Sequence, residues 1–212
     1  MSTVKYYDWS YHQARTRPNK VAVKEVSTGR ETTYGQLEER SCRLASWLQN
    51  KGVKKGDRVA ILIHNCTEVF ELEFACAKIG AIELPLNWRL TKPELEYILN
   101  DSSPEVLIYG SNFADTAKAL TKDCSIKNSL EIDDEDQNNE YEQALKENID
   151  FDVVETTHDD LIMLMYTSGT TGHPKGAMIT HEMQFYNIVN LAGSARVTDK
   201  TVQLIVLPLF HT

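Results

Sequence analysis

An abrupt change in composition between residues 161 and 176 is the feature that most constrains this 212-residue chain. Leu161–Met165 is an apolar run with the length and character of a buried strand. It gives way to a tract of hydroxyls and glycines, Thr167–Gly172, which is followed by Lys175. A helical pattern begins near His181. The sequence therefore predicts a strand, then a glycine-rich loop, then a helix.

A loop of this composition is typical of phosphate binding. Glycines let the backbone approach an anion closely, and consecutive backbone N–H groups form an anion-binding nest. A neighbouring helix N-terminus would add its dipole, the hydroxyls would donate hydrogen bonds, and Lys175 would supply a positive charge. The loop is not a Walker A loop, because Pro174 and Gly176 flank Lys175 where that pattern needs a glycine and a hydroxyl residue. The alternative is a polar surface turn.

The rest of the chain predicts a layered α/β fold. Strands and helices alternate from residue 58 to residue 120, which favours a parallel sheet with right-handed crossovers. Phosphate loops in such sheets lie at the carboxyl ends of strands, where Thr167–Gly172 would fall. Capping-box spacing at Thr33–Gln36 and Thr91–Glu94 predicts two helix starts. Val202–Pro208 is a further apolar run, predicted to be a buried strand.

The most acidic stretch is Glu131–Glu142. It lacks the glycine and the twelve-residue pattern of an EF-hand loop, so a solvated loop is favoured over a metal site. Tyr141–Asn148 is predicted to be a short helix that leads to the strand at Leu161.

Composition excludes some classes of partner. A net charge of −9 argues against a general nucleic-acid surface, which would be basic. No apolar run approaches the length of a membrane span, so any membrane association would be loose. The four cysteines lack paired or zinc-site spacing, which indicates a reduced, cytoplasmic protein; they are Cys42, Cys66, Cys76 and Cys124.

Three segments together resemble one enzyme family. Tyr166–Gly176, Tyr-Thr-Ser-Gly-Thr-Thr-Gly-His-Pro-Lys-Gly, resembles the phosphate-binding signature of the adenylate-forming (AMP-binding) enzymes. Leu86–Ser102 resembles a segment typical of fatty-acyl-CoA synthetases, and Pro208–Thr212 resembles the next family motif, beside the acyl pocket. The resemblance implies a layered, mostly parallel sheet with helices. It also implies that residues 1–212 are the incomplete front part of the large N-terminal adenylation domain, without the mobile C-terminal domain.

The resemblance also implies an activity and its site. The full-length parent would be an AMP-forming acid–thiol ligase that uses ATP, Mg²⁺ and coenzyme A. It would convert a carboxylic acid into an acyl-adenylate and then an acyl-CoA, and a fatty acid is the expected substrate. Thr170 would contact the magnesium ion, and His211 would line the acyl-carboxylate site. The ATP and pyrophosphate site would comprise Thr167, Ser168, Gly169, Thr170, Thr171, Gly172 and Lys175.

The resemblance also predicts how the chain depends on the rest of its parent, and other functions stay open. The catalytic lysine of the family belongs to the C-terminal domain, so the 212-residue chain is expected to be inactive alone, and the parent is expected to be a homodimer. Alternatives are an aryl- or amino-acid-adenylating enzyme and a non-catalytic phosphate-binding relative. Lys175 could instead be an ordinary surface lysine, Thr170 could satisfy only the loop backbone, and His211 could be structural. Trp88 and Arg89 are predicted to pack, and His173 is predicted to be exposed.

Overall fold

Helices and strands alternate around one central sheet. The computed structural model describes residues 4–133, 136, 138–146, 150–167 and 173–211. The strands are β1 (Val21–Lys24), β2 (Glu31–Thr33), β3 (Arg58–Leu62), β4 (Ile82–Pro85), β5 (Val106–Gly110), β6 (Asn128–Ile132), β7 (Leu161–Thr167) and β8 (Lys175–Thr180). The helices are α1 (Trp9–Thr16), α2 (Tyr34–Asn50), α3 (Thr67–Ile79), α4 (Lys92–Ser102), α5 (Ala114–Asp123), α6 (Glu140–Ala144) and α7 (His181–Ser194).

The central sheet has the order β6-β5-β3-β4-β7-β8. Pairing is parallel from β6 to β7, and only β8, at the edge, runs antiparallel to its neighbour among the described strands. The predicted mostly parallel α/β sheet is therefore confirmed. Parallel pairing brings the carboxyl ends of β3, β4, β5 and β7 to one edge of the sheet, where such folds place their ligands. β1 and β2 form a separate hairpin.

Both faces of β3 are buried, each in its own core. Val59 and Ile61 lie in the core that α2 and α3 cover, whereas Ala60 and Leu62 lie in the core under α4 and α5. All four side chains are 3% exposed or less. Burying one large aliphatic side chain contributes about 1.5–3 kcal/mol, so this double coverage explains why the sequence of β3 is continuously apolar.

Local signals determine where the helices begin and end. Both capping boxes are present: the Thr33 N–H donates to Gln36 Oε1 at 2.9 Å, and the Thr91 N–H donates to Glu94 Oε2 at 2.7 Å. Gly80 ends α3 with φ of 69°, a left-handed conformation that side chains disfavour.

None of the described helices has the length and apolar character needed to cross a membrane.

A buried lysine joins the first helix to the rest of the fold. Lys78 Nζ, on α3, lies 2.7 Å from Asp8 Oδ2 and 2.8 Å from Glu38 Oε1 of α2. Burial alone would lower the pKa of Lys78, but the two carboxylates outweigh it and raise the pKa above its usual value. Asp8 also caps α1 by accepting a hydrogen bond from the Tyr11 N–H.

Three predictions about secondary structure need correction. Val202–Pro208 forms no strand: residues 201–206 lie in no helix or strand, and Val202 and Val206 are 96% and 76% exposed. An apolar run becomes a buried strand only where a neighbouring strand pairs with it, and no described strand does so here. The acidic stretch Glu131–Glu142 is not one loop. Its first residues are the last residues of β6, a strand that the sequence analysis missed, and its last residues are the first residues of α6. The helix predicted for Tyr141–Asn148 is α6; residues 147–149 lie outside the described part of the chain.

Glu83 on β4 is a buried carboxylic acid. Its side chain is 1% exposed, and neither carboxyl oxygen has a hydrogen-bond partner among the described residues. Burial, reinforced by the nearby carboxylate of Glu73, raises the pKa of Glu83 well above its ordinary value. The folded state therefore keeps a proton that the unfolded chain releases above about pH 4.5. Stability must then fall as the pH rises through this window.

Replacing Glu83→Gln should remove this pH dependence. The wild-type free energy of unfolding should fall by up to about 1.4 kcal/mol per pH unit above about pH 4.5, until the folded-state pKa is reached. Urea denaturation at pH 5 and at pH 8 should therefore show that the wild type loses more stability between these two pH values than Glu83→Gln does. The exposed Glu182→Gln serves as the control. Parallel pH profiles for wild type and Glu83→Gln would show that Glu83 is ionised in the fold.

Candidate functional site

The predicted phosphate loop connects the two strands of a hairpin. β7 ends at Thr167, β8 begins at Lys175, and these two residues are register partners at the carboxyl end of β7. Lys175 is exposed. The other predicted ATP-site residues, Ser168, Gly169, Thr170, Thr171 and Gly172, lie outside the described residues. The structure thus brings Thr167 and Lys175 together at the edge of the sheet where ligands bind in such folds.

The predicted order of strand, loop and helix is wrong, because β8 separates the loop from α7. Thr180, which caps α7, pairs with Leu161 at the opposite end of β7 from Thr167. Five residue steps of a strand span about 17 Å, and the effect of a helix dipole falls off within its first turn. The α7 dipole therefore does not act on the loop. Within the described hairpin, Lys175 supplies positive charge at the end of the loop. The helical pattern after Gly176 begins only once the ladder of β8 has ended.

Both ends of the loop are anchored to α4. On one side the Tyr166 hydroxyl donates to Asp101 Oδ2 at 2.5 Å. On the other side His173 stacks on Tyr97, with ring centroids 4.7 Å apart and planes 17° apart. Burial, together with the Asp101 carboxylate, raises the pKa of Tyr166, so the phenol stays protonated and able to donate. His173 is exposed, as predicted, but its ring is held by this stack.

Gly176 allows the two strands of the hairpin to pack closely. A Cβ atom at this position would lie 2.8 Å from Leu164 Cδ1 and 3.3 Å from Tyr166 Cζ. Any larger residue would press on the Tyr166 ring, whose hydroxyl anchors the loop to α4. The glycine after Lys175 therefore has a packing role in the structure.

Aromatic side chains cluster where β3, β4 and β5 end. The His64 ring lies 4.7 Å from Trp88 and 5.0 Å from Phe113. The Arg89 guanidinium lies 4.5 Å from the centroid of Trp88, and Phe210 packs edge-on against the same ring at 6.0 Å. Trp88 and Arg89 thus pack as predicted. The cluster forms one wall of the carboxyl edge of the sheet.

His211, the predicted acyl-site residue, is brought to the same edge. It is exposed, and its backbone N–H donates to the Pro208 carbonyl oxygen at 3.1 Å. The preceding residue, Phe210, packs in the aromatic cluster. No described hydrogen bond, ion pair or ring contact joins His211 to Lys175, so the two lie at one edge as separate groups. Sequence reasoning found both residues but missed the side chains that anchor their segments.

His181, to which the sequence analysis assigned no chemistry, is a buried packing residue. It is 2% exposed, its ring lies 4.2 Å from that of Tyr6, and neither ring nitrogen has a hydrogen-bond partner among the described residues. Burial lowers the pKa of His181 to about 4, so the ring is neutral near pH 7. It lies at the end of β8 remote from the loop.

Comparison with known proteins decides the family. The sequence profile of the AMP-binding enzyme family matches residues 10–212. The chain belongs to the AMP-binding enzyme family. It is 38% identical over 203 residues to a feruloyl-CoA synthase of Amycolatopsis sp., and 36% identical over 209 residues to a long-chain-fatty-acid–CoA ligase of Mycobacterium tuberculosis. These alignments cover 96% and 98% of this chain but 39% and 41% of those relatives. The chain thus spans about two fifths of their length.

Solved structures of family members have the same fold. The o-succinylbenzoate–CoA synthetase of Bacillus subtilis, in complex with its acyl-adenylate intermediate, superposes with a TM-score of 0.82 at 29% identity. The match covers 98% of this AMP-binding chain and 51% of the other. The α/β sheet described above is therefore the sheet of an AMP-binding enzyme.

Removing the Tyr166 hydroxyl should loosen the loop end of the hairpin. The Tyr166→Phe change deletes the hydrogen bond to Asp101, which is worth about 0.5–1.5 kcal/mol. Trypsin cleavage after Lys175 should accelerate about 2- to 12-fold, because cleavage follows the open population of the hairpin. Tyr186→Phe, on the exposed face of α7, is the control and should leave the rate unchanged. An unchanged rate in Tyr166→Phe would show that the bond to Asp101 does not hold the loop end.

Proposed function

We propose that this chain carries the ATP phosphate-binding loop of a ligase that activates a carboxylic acid. The observation that carries the proposal is the hairpin that places Thr167 and Lys175 together at the carboxyl edge of the sheet, in a chain of the AMP-binding family. Lys175 is exposed and forms no ion pair with any described residue, so its charge is available to an anion. Thr167, Ser168, Gly169, Thr170, Thr171, Gly172 and Lys175 are proposed to hold the β- and γ-phosphates and the pyrophosphate that leaves.

The proposed reaction has two steps. The acid carboxylate attacks the α-phosphate of ATP, which forms an acyl-adenylate and releases pyrophosphate. The thiol of coenzyme A then attacks the acyl carbon, which forms the thioester and releases AMP. In the first step the protein contributes positioning and neutralisation of charge, and Lys175 neutralises charge that develops on the leaving pyrophosphate.

Magnesium would enter this site as a partner of the phosphates. Among the described residues no cluster of three or more His, Cys, Asp and Glu side chains could hold a metal ion. Mg²⁺ keeps several waters and binds through substrate phosphates with one or two protein oxygens, so a single hydroxyl fits the ion's requirements. We propose the hydroxyl of Thr170 for this contact, where the ion would screen the phosphate charges.

A fatty acid is the proposed substrate, and His211 is the proposed contact of its carboxylate. The likeness to a long-chain-fatty-acid–CoA ligase and the segment Leu86–Ser102 support this choice. The likeness to a feruloyl-CoA synthase and to an o-succinylbenzoate–CoA synthetase supports an aryl acid as the second candidate. An imidazole at position 211 can donate a hydrogen bond to a carboxylate of either class.

Residues 1–212 are proposed to be the first part of an adenylation domain, with the C-terminal catalytic lysine supplied elsewhere in the gene product. The chain spans about two fifths of the two curated relatives, which supports this assignment. Apolar side chains that a larger domain would cover are exposed, among them Met178, Val202, Leu204 and Val206. The homodimer and the cytoplasmic location stay predictions.

Lys175→Ala should weaken ATP binding by the full gene product about 10- to 150-fold, because a charge-assisted hydrogen bond contributes about 1.5–3 kcal/mol. Isothermal titration calorimetry with Mg-ATP measures the change. The matched control is Lys54→Ala, since Lys54 is exposed and precedes β3 at the opposite edge of the sheet. Equal affinity in the wild type and both variants would leave Lys175 an ordinary surface lysine.

ATP–pyrophosphate exchange should name the substrate class. The full gene product, offered fatty, aryl and amino acids in turn, should exchange pyrophosphate with fatty acids. The 212-residue chain alone should show no exchange with any of them. Exchange with aryl acids only would select the second candidate. No exchange by a folded gene product with any acid would favour a non-catalytic relative, and exchange by the chain alone would disprove the need for a further domain.

A further inference from the structure

Asn65 holds the segment that precedes His211. Asn65 follows β3 at the carboxyl edge, one residue before the cap of α3. Its side-chain Nδ2 donates to the Leu207 carbonyl oxygen at 2.8 Å, and its Oδ1 accepts from the Leu209 N–H at 2.8 Å. These two bonds, which we name the Asn65 clamp, connect residues that are 142 and 144 positions apart in the chain.

The Asn65 clamp does for this segment what a neighbouring strand would do. A side-chain amide carries a donor and an acceptor side by side, so it can pair with the C=O of one residue and the N–H of the residue two positions later. The two hydrogen bonds fix a single orientation of the amide. After the amide is flipped, Nδ2 would face the N–H of Leu209 and Oδ1 would face the carbonyl oxygen of Leu207, and neither bond could form. An aspartate could not replace it, because an ionised carboxylate has no hydrogen to donate to Leu207.

Few other contacts with the described residues order this part of the backbone. Residues 201–206 belong to no helix or strand, and the side chains of Leu204 and Leu207 are 70% and 69% exposed. Beyond the clamp, Leu209 packs partly against the core under α3, and Phe210 packs on Trp88. The direction in which the chain presents His211 therefore depends on the Asn65 clamp together with these two contacts.

We propose that Asn65 is a positioning residue for the acid substrate: through its bonds to Leu207 and Leu209 it places His211 at the carboxyl edge of the sheet. This role rests on the proposed function of His211. Asn65 touches neither the acid nor ATP, and it acts through the backbone of residues 207–209. The same residue lies beside the wall formed by His64 and Trp88, so the clamp also joins the His211 segment to that wall.

The first test measures the clamp itself. Backbone amide hydrogen exchange at Leu209 is compared in the wild type, Asn65→Ala and the control Asn19→Ala, an exposed asparagine in the turn after α1. Loss of the acceptor should speed Leu209 exchange about tenfold in Asn65→Ala and leave it unchanged in the control. Because Asn65 is exposed, the far-ultraviolet circular dichroism of the variant should match that of the wild type. Unchanged exchange at Leu209 would overturn the proposal.

The second test separates positioning from a structural role, using ATP–pyrophosphate exchange by the full gene product. Asn65→Ala should raise the KM for the acid about tenfold and change the KM for ATP less than about twofold. In a His211→Ala background the same change should add less than about twofold, because two residues that act as one unit are not additive.

Three further outcomes would count against this role. If Asn65→Ala raises the KM for the acid equally in the wild-type and His211→Ala backgrounds, or changes the KM for ATP as much as the KM for the acid, the positioning role is overturned and the proposed function is not. No exchange by the wild-type gene product with any acid would overturn the proposed function and this role together, whereas the Leu209 amide would still show whether the clamp forms.

Discussion

Parallel pairing of the central strands is the constraint on which the rest of the structure depends. Because β3 pairs in parallel with β4 and β5, and β4 pairs in parallel with β7, four strands end at one edge. Asn65, Trp88 and Phe113 follow the ends of β3, β4 and β5, and Thr167 is the last residue of β7; all four contribute to the proposed site. Such pairing requires a helical layer on each face, which α2 and α3 supply on one side and α4 and α5 on the other.

The parts of the fold that sequence could predict are those with local causes. The alternation of strands and helices predicted for residues 58–120 is observed from β3 to α5, and within it α3 ends at a local signal, a glycine that takes up a left-handed conformation. The capping boxes at Thr33 and Thr91 likewise involve residues only three apart. The continuously apolar sequence of β3 is explained by its burial on both faces, in the two cores.

The parts that sequence could not predict depend on distant partners. Tyr166 finds Asp101 across 65 residues, and Asn65 finds Leu207 across 142, so no local pattern marks either contact. The sequence analysis did not predict β8, because its first residues, Lys175 and Gly176, belong to the motif Tyr166–Gly176 and were assigned to the loop. Its pairing with β7 is visible only in the structure. For residues 202–207 apolar character was a correct observation, but burial needs a partner strand that the described chain does not offer.

The edge position of β8 would make the proposed phosphate binding depend on local folding. Among the described strands β8 pairs only with β7, so its end at Lys175 can fray while β3, β4, β5 and β6 stay folded. A nucleotide that binds only the closed hairpin would be bound with an apparent affinity that is reduced by the fraction of molecules in which it is open. Substitutions that tighten or loosen this one strand would therefore tune nucleotide affinity without touching the nucleotide.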